Sequence, residues 1–284
     1  MIKYTPKELT ENVNVPKQSA LRELFVLLGA VVGIILVVYL VLGLLVDVVV
    51  GRLSPATAQK LESKLSPMFL ALFTNDTRLV TAETELQGIL DQLLQSSGQT
   101  QRTFQVHLVK NSNVNAVAIP GGHIVVFSGL VAEAKSENEL AMVLGHEVGH
   151  FAHRDQLRAM GRGLVLLALS TVLLGGDDAV SGLLQRTLAQ AQLKFSRKQE
   201  LAADEWGLDL IAKRYGHVTG SLDFFRRLGE REKLPQWTAF LMTHPAPAKR
   251  VKELEATVRA KSYASGEPKP LPPALREIAS PGGP

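Results

Sequence analysis

With 284 residues and 46% hydrophobic side chains, the chain can bury the core of one globular domain and still carry an appendage. A formal charge of +4, with no dense Lys/Arg block, leaves no footprint for a nucleic-acid partner. The absence of cysteine excludes disulfides, thiolate metal sites, a cysteine nucleophile and a lipid anchor attached through cysteine.

Residues 1–23 are polar and mixed in charge, with Pro6 and Pro16, the composition of an unstructured tail. Residues 24–46 carry no charge and exceed the about 20 apolar residues a transmembrane helix needs. A cleavable signal peptide would have a shorter apolar core and a small-residue cleavage site, and Asp47-Val48-Val49-Val50-Gly51-Arg52 offers none. Gly29 and Gly33 form a small-xxx-small pair, the spacing of a homodimer made through the span. Lys7, Lys17 and Arg22 before the span are balanced by Arg52, Lys60 and Lys64 after it, and only the nearest charges, Lys17 and Arg22 against Arg52, tip the orientation. By the positive-inside rule this favours a cytoplasmic N-terminus and a catalytic domain outside the cytoplasm, on a chain expected to cross the cell membrane once.

Residues 56–73 and 78–96 read as amphipathic helices joined through Asn75-Asp76-Thr77, a hairpin over 55–100 that packs on the domain as a satellite. The period then changes to two. Residues 104–109, 114–119 and 123–127 read as strands, the last after the turn Pro120-Gly121-Gly122, and they open a domain over 101–261. His107 and His123, isolated in strands, read as surface residues rather than ligands.

A helix follows, opened by the capping-box pair Ser136 and Glu139, with Leu140, Val143, Leu144 and Val148 at core-facing spacing. It contains His146-Glu147-Val148-Gly149-His150. Side chains four apart share one helix face with β-carbons about 5–6 Å apart, so both imidazoles can reach one zinc ion at about 2.0–2.1 Å. Glu147 then stands beside the metal, where it can take a proton from a water whose pKa the ion lowers to about 7. Gly145 and Gly149 each cost about 1 kcal/mol against Ala in a helix, which calls for close approach of another backbone, a substrate's among the candidates. His153 lies on the same face but about 10 Å along the axis from His146, too far to share its ion without unwinding the helix.

The apolar run 164–174 is too short to span a bilayer and reads as a buried core helix, or as a hairpin touching the membrane or gating the cleft. Gly175-Gly176-Asp177-Asp178 ends it, and residues 179–215 are again helical and contain Glu200-Leu201-Ala202-Ala203-Asp204. Shorter helices run to about residue 260, interrupted by Thr243-His244-Pro245. Residues 262–284 are rich in proline and glycine and read as a disordered tail.

The two motifs together resemble the HtpX/CAAX-protease family of membrane-associated zinc metallopeptidases, within the thermolysin-like gluzincin group. The likeness covers approximately residues 104–251. Asn115-Ala116, Pro120-Gly121-Gly122, Arg154-Asp155, Ser196-Arg197 and Arg250 are also similar to that family. The resemblance implies an α+β fold, with a helical zinc-peptidase core, a small sheet and one N-terminal transmembrane helix. It implies His146, His150 and Glu200 as ligands of Zn2+, Glu147 as general base, and His244 as a hydrogen-bond donor to the oxyanion. Asp204, one turn beyond Glu200, is placed to fix the tautomer of a ligand histidine. Asn115, Gly122 and Ile124, with the strand 123–127, suggest a sheet edge to which an extended peptide adds. The expected function is hydrolysis of peptide bonds by a zinc endopeptidase acting on membrane or misfolded envelope proteins. An aminopeptidase would need an acidic group for the substrate amine, for which no motif is evident, and a non-catalytic chaperone or adaptor would have discarded Glu147. Members with further spans after the zinc helix carry longer apolar segments there than 164–174, which favours a single anchor.

Overall fold

The computed structural model describes residues 19–73, 77–98, 102–174, 195–230, 235–245 and 247–280. Most of the expected N-terminal tail, Asn75 and Asp76, the Gly175-Gly176-Asp177-Asp178 stop and the start of the helical stretch after it lie outside these residues. The described chain is mostly helical with one small sheet. It comprises α1 (Ala20–Arg52), α2 (Pro55–Leu70), α3 (Val80–Ser96), β1 (Gln105–Val109), β2 (Ala116–Ile119), β3 (His123–Phe127), α4 (Ser128–Glu133), α5 (Glu137–Ala152), α6 (Asp155–Leu174), α7 (Arg197–Tyr215), α8 (Asp223–Glu230), α9 (Pro235–Thr243), α10 (Pro247–Ala260) and α11 (Pro273–Ala279).

Among the described helices α1 alone is long and apolar enough to cross a membrane, and its side chains are almost all exposed. Its partner is α6, which runs beside it in the opposite direction. Arg158 lies by Gly51 and Arg162 by Gly43, and a Cβ on Gly161 would meet the Val46 side chain at 2.5 Å.

The sheet has the order β1-β3-β2, with β1 parallel and β2 antiparallel to β3. Period-two alternation divides its side chains between two apolar layers. Val106, Leu108, Ala116, Ala118, Ile124 and Val126 face the main core. Val109, Val117, Ile119, Val125 and Phe127 face Phe69, Leu70 and Phe73 at the end of α2. Both faces are therefore covered.

Two expectations are corrected here. The segments around 56–73 and 78–96 do not form a satellite hairpin. Leu86, Leu90 and Leu93 of α3 are fully buried in the main core, against the helices α5 and α7, while α2 covers the opposite face of the sheet. Residues 262–280 are not a disordered tail either. Leu271, Leu275 and Ile278 enter the main core, Glu85 accepts hydrogen bonds from the Ala274 and Leu275 N–H groups that open α11, and the Lys269 carbonyl accepts from Glu137 N at 2.9 Å. The proline content of this segment sets an extended strap, and its few apolar residues are spaced to fill the core as it passes.

At the start of α5 the Ser136 hydroxyl accepts from Glu139 N at 3.3 Å, but the reciprocal Glu139 carboxylate takes the Lys135 N–H and a bidentate pair from Arg227. The complete reciprocal capping box lies at α7, between Ser196 and Gln199. The closest helix pair is α5 with α7. A Cβ on Gly149 would lie 2.7 Å from Ala203 Cα, and one on Gly145 would lie 3.1 Å from Gly207 Cα. The backbone that repays the two helical glycines is thus that of α7.

Candidate metal centre

This contact of small residues lets two helices present side chains to one point. On α5, His146 and His150 project one turn apart toward α7, from which Glu200 projects back. One ligand atom each of His146, His150, Glu200 and His244 lies within 4.8 Å of all the others, and all four residues are buried. The Nε2 atoms of His146 and His150 are 3.1 Å apart, and Glu200 Oε1 is 3.5 Å from His150 Nε2.

Each histidine has its other nitrogen occupied. His146 Nδ1 donates to Asp204 Oδ1 at 2.8 Å, and His150 Nδ1 donates to Asp155 Oδ2 at 2.9 Å. With the Nδ1 protons so engaged, the two Nε2 lone pairs point at each other and repel unless a cation lies between them. Two nitrogens bound to one tetrahedral zinc ion would be about 3.3 Å apart, close to the separation found. The donor set fits a metal ion.

The surrounding charges agree. Burial works to lower the pKa of His150, but hydrogen bonds to Asp155 and Glu200 and the charge of Glu147 outweigh it and push the value up to about 9. His146 is instead lowered by burial, against the opposing pull of Asp204. The carboxylates around His150 thus favour positive charge at that ring. Burial would raise the Glu200 and Asp204 carboxyls, yet both are held below their ordinary range, Glu200 by the histidines and Arg250, Asp204 by Arg250 and His146. Arg250 supplies the link, since Nε donates to Asp204 Oδ2 at 2.7 Å while Nη1 pairs with Glu200 Oε2.

Glu147 is buried next to this group, and its Oε1 has no hydrogen-bond partner. His244, at the end of α9, brings Nδ1 to 3.1 Å from His146 Nε2 and 3.2 Å from Glu200 Oε1, and its Nε2 lies 3.5 Å from Glu147 Oε1. In this conformation His244 therefore stands among the donor atoms rather than apart from them. His153 does not join them. It caps the C-terminus of α5, its ring edge-on to Trp206.

The expected peptide-binding residues are placed elsewhere. The strand 123–127 cannot accept an added strand, because β3 is central and both of its edges are already paired. Ile124 is fully buried between Val106 and Ala118. Gly122 serves its turn, with φ +90° and no room for a Cβ against the Thr103 carbonyl at 2.5 Å. The Asn115 side chain accepts from Ala116 N, and the Asn115 carbonyl accepts from Phe127 N. Of the two edge strands, β1 has its Val106 and Leu108 N–H groups taken by Gln87 and Glu83 of α3, whereas β2, which packs against α5, has an outer edge that pairs with no described strand.

Sequence reasoning noted Asp155 and Arg250 only as resembling stretches and assigned neither a role. Asp155 reaches His150 because His153 ends α5 and Arg154 turns the chain with φ +57°, a corner that sequence spacing does not reveal. Phe195, stacked 3.8 Å from the His150 ring, carried no sequence signal at all.

Two helices crossing at glycine, with a buried His/Glu group oriented by carboxylates behind it, define a protein built around a metal-competent centre. Residues 81–258 match peptidase family M48, and the chain belongs to that family. It is 30% identical over 183 residues to a putative beta-barrel assembly-enhancing protease of Vibrio cholerae, covering 60% of this chain and 37% of that protein. It is 30% identical over 170 residues to the mitochondrial metalloendopeptidase OMA1 of Schizosaccharomyces pombe, covering 59% and 50%. With OMA1 of Arabidopsis thaliana the identity is 33% over 183 residues, covering 63% and 34%. The matches thus span between a third and a half of the length of these relatives.

Proposed function

We propose that the chain is a membrane-anchored zinc endopeptidase with a thermolysin-like arrangement of its catalytic groups. His146, His150 and Glu200 would hold the ion, and the single observation that carries the reading is the convergence of the two Nε2 atoms with Glu200 in a buried pocket. Bound there, zinc would polarise the scissile carbonyl and acidify the attacking water. Glu147 takes the proton of that water and passes it to the leaving nitrogen, a role supported by a buried carboxylate oxygen that no hydrogen bond engages. Asp204 and Asp155 fix the tautomers of His146 and His150, and Arg250 holds Asp204 and Glu200 ionised. A catalytic site needs one open position, so His244 must swing away from the donors, whereupon it can hydrogen-bond the oxyanion. The outer edge of β2 is the surface that suits an extended peptide.

Substrates are proposed to be membrane or misfolded envelope proteins; the bacterial relatives are named as beta-barrel assembly-enhancing proteases. The anchor is α1. Its nearest flanking charges put the domain outside the cytoplasm, whereas Arg154, Arg158 and Arg162, brought to the same end of α1 by folding, count toward the opposite orientation. A reporter fused after residue 284 distinguishes the two.

The direct test is Glu147→Gln, assayed for bound zinc and for cleavage of an unfolded protein. The expected result is zinc retained and turnover lowered by about 10²–10⁴, with a chelator abolishing the activity of the parent protein and zinc restoring it. Near-normal turnover by the variant overturns the assignment.

A further inference from the structure

A second cavity, of about 590 Å³, opens where α1, the α5–α6 corner and the start of α7 meet. Its walls carry Arg154, Arg158, Arg162 and Lys198 against two carboxylates, Asp47 and Asp155. Asp155 is already committed, one oxygen to His150 and the other to Gln199 Nε2 at 2.6 Å. Asp47 is shared by Arg162 at 3.1 Å and Arg158 at 4.0 Å, and cannot balance the remaining cations. The Nε atoms of Arg158 and Arg162 are buried without a hydrogen-bond partner. Guanidinium donors without acceptors, in an excess of positive charge, call for a multidentate anion.

The height of the cavity says which anion. It lies at Asp47 and Gly51, directly after the charge-free part of α1. From there α6 turns back along α1, and beyond Arg162 its apolar side chains are exposed, Leu164 at 55% and Val172 at 82%. At 1.5 Å per residue, Val172 lies about 15 Å past Arg162, half the depth of a bilayer's hydrocarbon core. A layer of lipid that covers α1 also covers this half of α6, and the four cations then lie at the level of the headgroups.

We propose that this cavity binds the phosphate headgroup of an anionic phospholipid, on the side of the membrane that holds the catalytic domain. The proposal rests on the reading of α1 as a membrane anchor. The bound headgroup joins three elements that also support the metal centre, since Arg154 ties α1 to the corner and Asp155 and Gln199 line the same wall.

The test uses the detergent-solubilised full chain. Thermal unfolding is followed with soluble short-chain phosphatidylglycerol, with short-chain phosphatidylcholine, and with inorganic phosphate alone. Phosphatidylglycerol at a hundredfold excess over its Kd is expected to raise the Tm by about 5 °C, with little change from the other two. Arg158→Gln with Lys198→Gln should weaken binding at least tenfold, while the charge-matched pair Lys249→Gln and Lys252→Gln on α10 should not. Lys198→Gln alone, at an exposed position, repeats the test if the double variant does not fold. An equal shift from phosphatidylcholine, a phosphate effect as large as the lipid's, or equal weakening by both pairs overturns the proposal. A fluorophore on Leu36→Cys, unique in a cysteine-free chain, separately reads the anchor through quenching by spin-labelled lipid in vesicles. Quenching there with a flat phosphatidylglycerol titration sinks the headgroup site alone, whereas no quenching removes the membrane reading and the proposal with it.

Discussion

At the scale of single residues, Arg250 bears the heaviest structural demand. It is buried and satisfies Asp204 and Glu200 together. Removing one partner of a buried ionic group typically costs about 3–5 kcal/mol, since the charges left behind have neither water nor a counter-ion. Arg250→Leu is therefore expected to lower stability by about that amount, measurable by denaturant unfolding. The pH dependence follows from the same contacts. Asp204 and Glu200 both have folded pKa values below the ordinary carboxylate range, so they contribute stability that is fully present above about pH 5 and is lost as pH falls through their folded values. Unfolding midpoints measured from neutral pH downward should show this loss in the parent and a shallower slope in Arg250→Leu. Asp204→Asn tests the link to the metal centre and should weaken zinc binding about 10–100-fold while the fold survives.

At the scale of elements, the closeness of α5 and α7 decides whether the donors meet. Gly149→Ala ought to favour the helix by about 1 kcal/mol on propensity alone. The added methyl would instead lie 2.7 Å from Ala203 Cα, and backbone cannot yield as a flexible side chain does. The expected outcome is destabilisation by about 1–3 kcal/mol, with zinc affinity reduced because α7 moves and carries Glu200 with it. Gly88→Ala on α3, where a Cβ meets nothing, is the control. The histidine pair of α5 was legible in the sequence because i,i+4 spacing and a capped start are local properties, whereas Glu200 was reached only through the resemblance of its stretch to a known family. Strand order is not local. The segment 123–127 is a short apolar run after His123, which does not say where in the sheet it lies, and only the folded chain shows β1 and β2 on its two sides. The strap over 262–280 was hidden for a related reason, since its composition is that of a linker and its three core residues, Leu271, Leu275 and Ile278, are diluted among prolines. A chain ending at residue 261 should lose the clamp on Glu137 and Asn138 and unfold at a lower temperature.

For the whole molecule, the centre is reached from two sides by one continuous set of contacts. The strap holds the start of α5, and α1 holds its end through Arg154, whose Nη1 donates to the Val50 and Leu53 carbonyls at 2.8 and 2.7 Å. The positive φ of Arg154 costs about 1–2 kcal/mol and serves to put Asp155 beneath His150. The apolar helix α1 and the candidate metal centre are thus one mechanical unit, which no reading of separate sequence segments could supply. The central claim is that zinc is held between α5 and α7 rather than by α5 alone, and metal content decides it. Purified Glu200→Ala and His153→Ala are compared with the parent by elemental analysis after equal exposure to zinc. The account predicts that Glu200→Ala has lost the metal and His153→Ala retains it in full. Zinc retained in Glu200→Ala and lost in His153→Ala would contradict the account at its centre.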